Sequence, residues 1–116
     1  MHISVTGRHV KVTETMKEHA YAQVERHLIK YDRIEDIHII LEVEKYRQIA
    51  EIVVQAKNHI RIEAEACSED MYASIDKAIE KADKQLQKQR DKVQNHKSNE
   101  GLGQLEREIL DSEEEI

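Results

Sequence analysis

Hydrophobic and polar positions alternate with a period of two in four short stretches of this chain and follow a helical period in two longer ones. In residues 2–6, Ile3 and Val5 share one face of a first strand, which Gly7 closes. Three more strands alternate in the same way. Ile37, Ile39, Leu41 and Val43 oppose His38, Ile40, Glu42 and Glu44. Ala50, Ile52, Val54 and Ala56 oppose Ile49, Glu51, Val53 and Gln55, and Ile60, Ile62, Ala64 and Ala66 oppose His59, Arg61, Glu63 and Glu65. One apolar face per strand is the mark of half-buried antiparallel strands. Polar breaks at 45–47 and at Lys57 and Asn58 predict short hairpin turns.

The two helical stretches flank this block of three strands. Met16, Ala20, Val24, Leu28 and Tyr31 mark the buried side of a helix that starts from a Thr13 N-cap, or from Thr15 with Glu18 as a capping box, and ends near 30–32. His19, Arg26 and Lys30 then face solvent. A second helix over about 70–92 is capped by Ser68, with Glu69 and Asp70 suited to its positive end. At roughly 100° per residue, Tyr72, Ile75, Ile79, Ala82, Leu86 and Val93 gather on one side and call for a core. The order strand, helix, three strands, helix predicts an α+β domain, a four-stranded sheet with both helices packed on one face.

Charge changes the picture on that second helix. Lys77, Lys81, Lys84, Lys88 and Lys92 recur at steps of four, three, four and four, which confines five ammonium groups to a stripe about 80° wide. Two readings of the stripe are open. It is a surface for a polyanion, or a solvated face balanced by Asp76, Glu80, Asp83 and Asp91 through pairs such as Glu80 with Lys84. The free face of the sheet carries Glu42, Glu44, Glu51, Glu63 and Glu65, so the domain is expected to be acidic on the sheet side and basic on the helix side.

Of the 116 residues, none is Trp, Phe or Pro, so the core must be aliphatic and a large aromatic-lined ligand pocket is not expected. The net charge of −6 argues against a nucleic-acid partner until it is located. Residues 94–116 hold seven acids against Lys97 and Arg107, which leaves the preceding 93 residues at −1, with sixteen bases and seventeen acids. After about Asn95 the periodicity fails in HKSNEGLG, and the chain ends in DSEEEI. Residues 96–116 therefore read as a flexible acidic tail behind a domain of residues 1–95. Leu102, Leu105, Ile109 and Leu110 offer at most a turn or two of marginal helix.

A single cysteine, Cys67, rules out an internal disulfide framework and a multi-cysteine zinc site. No basic-then-apolar leader opens the sequence and no apolar run approaches the roughly 18 residues of a membrane span, so a cytoplasmic location is expected. A phosphate-binding Gly-rich loop, HExxH, GxSxG and paired CxxC are all missing, and no enzyme activity or cofactor is expected. The seven histidines scatter without metal-ligand spacing on one helix; His19 and His27 stand two turns apart. Tyr72 reads as a core residue with its hydroxyl at the edge, not as a stacking platform.

With this pattern in place, EDMYASIDKAIEKADKQLQKQRDK, with its Asp-x-Tyr-x-x-Ile-Asp start at Asp70, resembles the second helix of the ribosome hibernation promoting factors. The opening VTGRHVKVTE is similar to theirs too, and the likeness spans about the first 95 residues. It implies a β-α-β-β-β-α fold similar to double-stranded RNA-binding domains. It further implies binding to the small ribosomal subunit and its 16S rRNA in stationary phase, in the mRNA and tRNA channel at the A and P sites, with translation inhibited by occupancy. Carried over by position, the rRNA-facing residues are Lys77, Lys81, Lys84, Lys88 and Lys92, with Arg26 and Lys30 alongside. Ribosome dimers formed with a separate modulation factor are a possible further partner; no membrane or small-molecule substrate is implied. Ser74 departs from the Ala common in that family. The acidic tail resembles that of the related ribosome-associated inhibitor, which blocks dimerisation, whereas the Gln-rich end of the second helix favours the hibernation factor. A protein-interaction or transcription-modulation module acting through the acidic face or tail is the reading of a different class.

Overall fold

Because side chains alternate sides along a strand, the register between strands decides which apolar positions meet. The computed structural model describes residues 1–98, in the order β1 (His2–Arg8), α1 (Glu14–Leu28), β2 (Ile34–Glu44), β3 (Arg47–Ala56), β4 (Ile60–Ser68) and α2 (Met71–Ser98). The sheet follows chain order, β1-β2-β3-β4. β2, β3 and β4 are antiparallel neighbours, as their alternation predicts, whereas β1 lies parallel to β2 and needs α1 as its crossover. Three rows cross the sheet on one face: Ile37 with Val54 and Ile62, Ile39 with Ile52 and Ala64, Leu41 with Ala50 and Ala66. These rows form a single buried cluster with Ala20, Val24 and Leu28 of α1 and with Met71, Ile75, Ala78, Ile79, Ala82 and Leu86 of α2. Both helices therefore cover the same face, and the core is aliphatic.

α2 passes from one compact unit, Met1–Leu86, into a second that starts at Gln87. The side chain of Val93, placed with the apolar stripe by its spacing, lies outside the described residues, as do residues 99–116, which include most of the expected acidic tail.

Local chemistry explains the element ends. Thr13 is extended and its hydroxyl accepts from the Met16 amide at 3.2 Å, the expected N-cap of α1. α1 closes at Leu28, earlier than its spacing suggests, and Tyr31 is buried from the following turn, where its amide donates to the Leu28 carbonyl. Ser68 does not cap α2. It is the last residue of β4, and the Asp70 carboxylate accepts from the Tyr72 amide instead. The β2–β3 loop has two residues with Lys45 in the left-handed region, and the loop at 57–59 places Asn58 and His59 there, one position later than expected.

The open face of the sheet departs from the uniformly exposed acidic surface that alternation suggests. Glu44, Glu63 and Glu65 are exposed, but Glu42 and Glu51 are half-buried. Arg8 draws Glu42 in, with Nη1 3.2 Å from its carboxylate. Ile49 is buried on this face, and Ile40 and Val53 are half-buried, so the glutamates stand on an apolar floor.

Two carboxylates of α2 tie it to α1. Asp76 lies 2.7 Å from His19 Nε2, and the His19 ring meets Tyr72 edge-on with centroids 5.1 Å apart. Asp83 accepts the Tyr31 hydroxyl at 2.6 Å and lies 3.3 Å from Lys30 Nζ and 3.7 Å from His27 Nδ1. His19, expected to face solvent, is thus a half-buried seam residue.

Two substitutions test this frame. Gly7 sits on the core face opposite Leu41, and a Cβ there would lie 2.3 Å from the Val10 carbonyl oxygen and 2.9 Å from Val12 Cγ2. Gly7→Ala is expected to lower stability by about 1–3 kcal/mol, as overpacking against backbone does, read by urea denaturation. Asp83→Ala removes a hydrogen bond to a charged group, about 1.5–3 kcal/mol, offset in part by the better helix propensity of Ala, roughly 0.6 kcal/mol. A net loss of about 1–2 kcal/mol is expected; an unchanged denaturation midpoint would show that the seam contributes nothing.

Candidate nucleic-acid interface

Around α2, the direction of each charge follows from its number. Asp76 and Asp83 differ by seven residues, close to two turns, and so share the flank that faces α1. Their partners there are His19, His27, Lys30 and Tyr31. Lys77 and Lys84 each follow one of these acids by a single residue, about 100° further round the helix, and Lys81 falls between them on the same flank. Its ammonium shows where that flank lies: Nζ donates to the backbone carbonyl of Glu65 at 2.8 Å. Gln85 likewise donates to the Glu63 carbonyl at 3.0 Å. The lysine flank of the first unit therefore runs beside β4, an edge strand of the sheet, and not directly away from the core.

Lys77, Lys81 and Lys84 are exposed in the first unit, and Lys88 and Lys92 are exposed on the α2 segment of the second. Among the described residues, no ion pair joins Lys77, Lys81, Lys84 or Lys88 to an acid of the same helix. The Glu80 to Lys84 pair that would make the stripe a self-neutralised surface does not form. Of the acids that could balance the row, Asp76 and Asp83 are engaged with α1 and the turn after it, while Glu80 and Asp91 stand exposed at the border of the row. Such an arrangement presents point charges that can each neutralise one phosphate without first breaking an internal pair.

Of the two residues expected beside the row, Arg26 lies on α1 and Lys30 just past its end. Arg26 is exposed. Lys30 is engaged with Asp83 and lies over the Tyr31 ring, 5.4 Å from its centroid. Lys30 is therefore held on the Asp83 side of α2.

Sequence spacing did not single out a second set of basic residues at the end of the sheet where β1 and β2 finish. Arg8, His9 and Lys11 are exposed there, as are Lys45 and Tyr46 of the β2–β3 loop and Arg47 at the start of β3. Isolated charges in loops carry no periodic signal, and only the β1–β2 register, Arg8 against Glu42, shows that they share an end. Arg47 donates from Nε to Cys67 Sγ at 3.4 Å, and this contact raises its pKa above the ordinary arginine value, helped by Glu44 and Glu65. On the open face, Glu51, Glu63, Ala64 and Glu65 line a shallow depression. No group of His, Cys, Asp and Glu suited to a metal ion occurs among the described residues, nor a helix long and apolar enough to cross a membrane.

Known proteins share this architecture. The chain resembles the ribosomal subunit interface protein of Coxiella burnetii, with a TM-score of 0.74 and 32% identity over 78% of this chain and 99% of that one. The N-terminal domain of Thermus thermophilus Protein Y has the same fold, with a TM-score of 0.69 at 24% identity, covering 76% of this chain and 98% of that one. In sequence, the ribosome hibernation promoting factor of Klebsiella oxytoca is 38% identical over 96 residues, 83% of this chain and the whole of that protein. That of Escherichia coli K12 is 34% identical over the same shares. Residues 3–94, which hold all of the sheet but its first residue, α1 and the lysine-bearing turns of α2, match the family model described as Sigma 54 modulation protein / S30EA ribosomal protein, and the chain belongs to that family.

Proposed function

We propose that this protein is a ribosome hibernation factor that binds the small ribosomal subunit and silences translation by occupancy. The observation that carries this reading is the lysine row of α2, in which Lys77, Lys81, Lys84 and Lys88 form no ion pair with an acid of their own helix among the described residues, while Asp76 and Asp83 are engaged on the side of α1. Its ammonium groups hold rRNA phosphates in the channel of mRNA and tRNA at the A and P sites, and the bulk of the domain excludes those ligands. No bond is made or broken, and no cofactor takes part. Lys77, Lys84, Lys88 and Lys92 are the principal contacts. Lys81 contributes while also holding the β4 edge, and Arg26 and Lys30 lend positive potential from α1 and the turn after it. The factor acts in the cytoplasm in stationary phase, and residues 96–116 are not needed for holding RNA.

The acidic end, DSEEEI, favours a second reading within the same family: an inhibitor that binds the same site but blocks ribosome dimerisation. Sucrose-gradient profiles of purified ribosomes with the added protein separate the two, since only the hibernation factor leaves dimers intact or increases them.

The test of the lysine row is a triple variant, Lys77→Ala, Lys84→Ala and Lys88→Ala. Lys81 is left in place because of its bond to the Glu65 carbonyl. Alanine is a good helix former, so circular dichroism is expected to stay native. Each phosphate contact contributes about 0.7–0.9 to the slope of log affinity against log salt, so the slope should fall by about 2–3 and binding to small subunits should weaken severely. Binding equal to the parent across the whole salt series would return the row to ordinary solvated charge.

A further inference from the structure

The four tyrosines are used unequally. Tyr31 is buried with its hydroxyl on Asp83, Tyr72 packs against His19, and Tyr21 lies 42% exposed on α1. Tyr46 is 80% exposed and has no hydrogen bond or ring contact among the described residues. It occupies the second position of the two-residue loop between β2 and β3, and Glu44 and Arg47 still pair across the strands beneath it. The ring is therefore raised above the sheet end on a short support, with little backbone freedom of its own.

On the side of β1 and β2 the acids near the ring are already paired, while Glu69 and Asp70 stand exposed just past the end of β4. Glu44 lies 3.6 Å from Arg47, and Glu42 is taken by Arg8 at 3.2 Å with His9 at 3.8 Å. Lys45, in the left-handed region next to Tyr46, is exposed and has no carboxylate partner among the described residues. Lys11 is exposed in the loop that follows β1 at this end of the sheet. Arg47 is held by Cys67 and Glu44, so it braces the hairpin, and Lys45 is the cation next to Tyr46 that has no acid partner among the described residues.

We infer that Tyr46 is a stacking platform for an unpaired RNA base, with Lys45 on the adjoining phosphate. An aromatic face beside an ammonium is the chemistry by which single-stranded nucleic acid is held: every base has a π-face, and the charge follows the backbone. A base inside a helix is already stacked on its neighbours, so the target is a nucleotide in a loop, bulge or single-stranded stretch. An apolar pocket on a protein would also accept a tyrosine, but burial there would leave Lys45 desolvated without an acid to meet it. The inference rests on the RNA-binding reading above and adds to it a contact that does not depend on charge, at a loop apart from the lysine row.

The experiment compares the full chain with Tyr46→Ala, Tyr46→Trp and Lys45→Ala in binding to purified small subunits over a salt series. Tyr46→Ala should weaken binding about 5- to 100-fold with an unchanged salt slope, because no charge is lost. Tyr46→Trp should restore or exceed the parent affinity, and Lys45→Ala should lower the slope by about one. Short-wave irradiation of the Tyr46→Trp complex, followed by nuclease and mass spectrometry, should find a nucleotide adduct on the peptide that contains position 46. If the parent binds and Tyr46→Ala binds equally well, the stacking contact is wrong while RNA binding by the lysine row stands. If the cross-link joins a ribosomal protein, Tyr46 is a protein contact and the inference is overturned. If the parent itself does not bind, the functional reading fails and the stacking contact falls with it.

Discussion

The division of charge around α2 organises both the fold and the proposed surface. A helix that mixes Asp, Glu and Lys ordinarily satisfies itself through neighbours three and four residues apart, and its field then cancels within a few ångströms. Here Asp76 and Asp83 turn away from the lysines and toward α1, where His19, His27, Lys30 and Tyr31 receive them. The same contacts therefore dock one helix on the other and keep these two acids from pairing with the lysines. Asp83 is the more committed of the two, since a single carboxylate serves a hydroxyl and two basic groups at 17% side-chain exposure. A carboxylate so enclosed interacts with its partners far more strongly than a surface pair would.

The lysine flank is also anchored to the sheet. β1 and β4 are the two edge strands, and the outward carbonyls of an edge invite pairing with another chain. On β4, Lys81 and Gln85 occupy the carbonyls of Glu65 and Glu63, so side chains of α2 cover part of that edge. Where α2 begins, Ser74 is fully buried, donates to the Gln48 carbonyl at 2.6 Å and shares a 2.8 Å hydrogen bond with Ser68. A buried hydroxyl is tolerated only when it is bonded, and Ser68 and Ser74 have to be read together: the first is the companion that lets the second replace an apolar residue. These bonds join the start of β3 and the end of β4 to the first turn of α2.

Much of this was legible in the sequence. Alternation in β2, β3 and β4 identified the core positions, and helical spacing put Ile75, Ile79, Ala82 and Leu86 on the buried side of α2. What periodicity reports is the face a residue occupies, and it is silent on the partner. His19 and Asp76 are 57 residues apart and Tyr31 and Asp83 are 52 apart, so nothing local marks either pair. For the same reason Lys30 reads as a free base in sequence and turns out to be an engaged one. The parallel pairing of β1 was hidden because a short alternating strand looks the same in either direction. Ser68 misled as a cap since a Ser before an acidic pair fits the N-cap pattern, while the strand extends one register further and hands that role to Asp70.

A chain with a net charge of −6 is an unpromising ligand for RNA only if charge acts as a total. At physiological salt the screening length is about 8 Å, shorter than the roughly 10 Å that separates a sheet from the layer packed on it. Glutamates on the inner strands of the open face, Glu42, Glu44 and Glu51, point away from the helices and are thus about one screening length or more from a phosphate lying against α2, whereas Glu63 and Glu65 on the β4 edge stand nearer to the lysine flank. Their repulsion is reduced further where Arg8, Arg47 and Arg61 pair with Glu42, Glu44 and Glu63. The lysines, by contrast, can touch the phosphate. Affinity is then set by which charges lie within a few ångströms of the partner, and the remote acids act mainly on orientation, turning the sheet away from the polyanion before contact. On this argument the acidic face and the lysine row are complementary parts of one device, because a domain basic on every side would bind RNA in many orientations and occupy no one site.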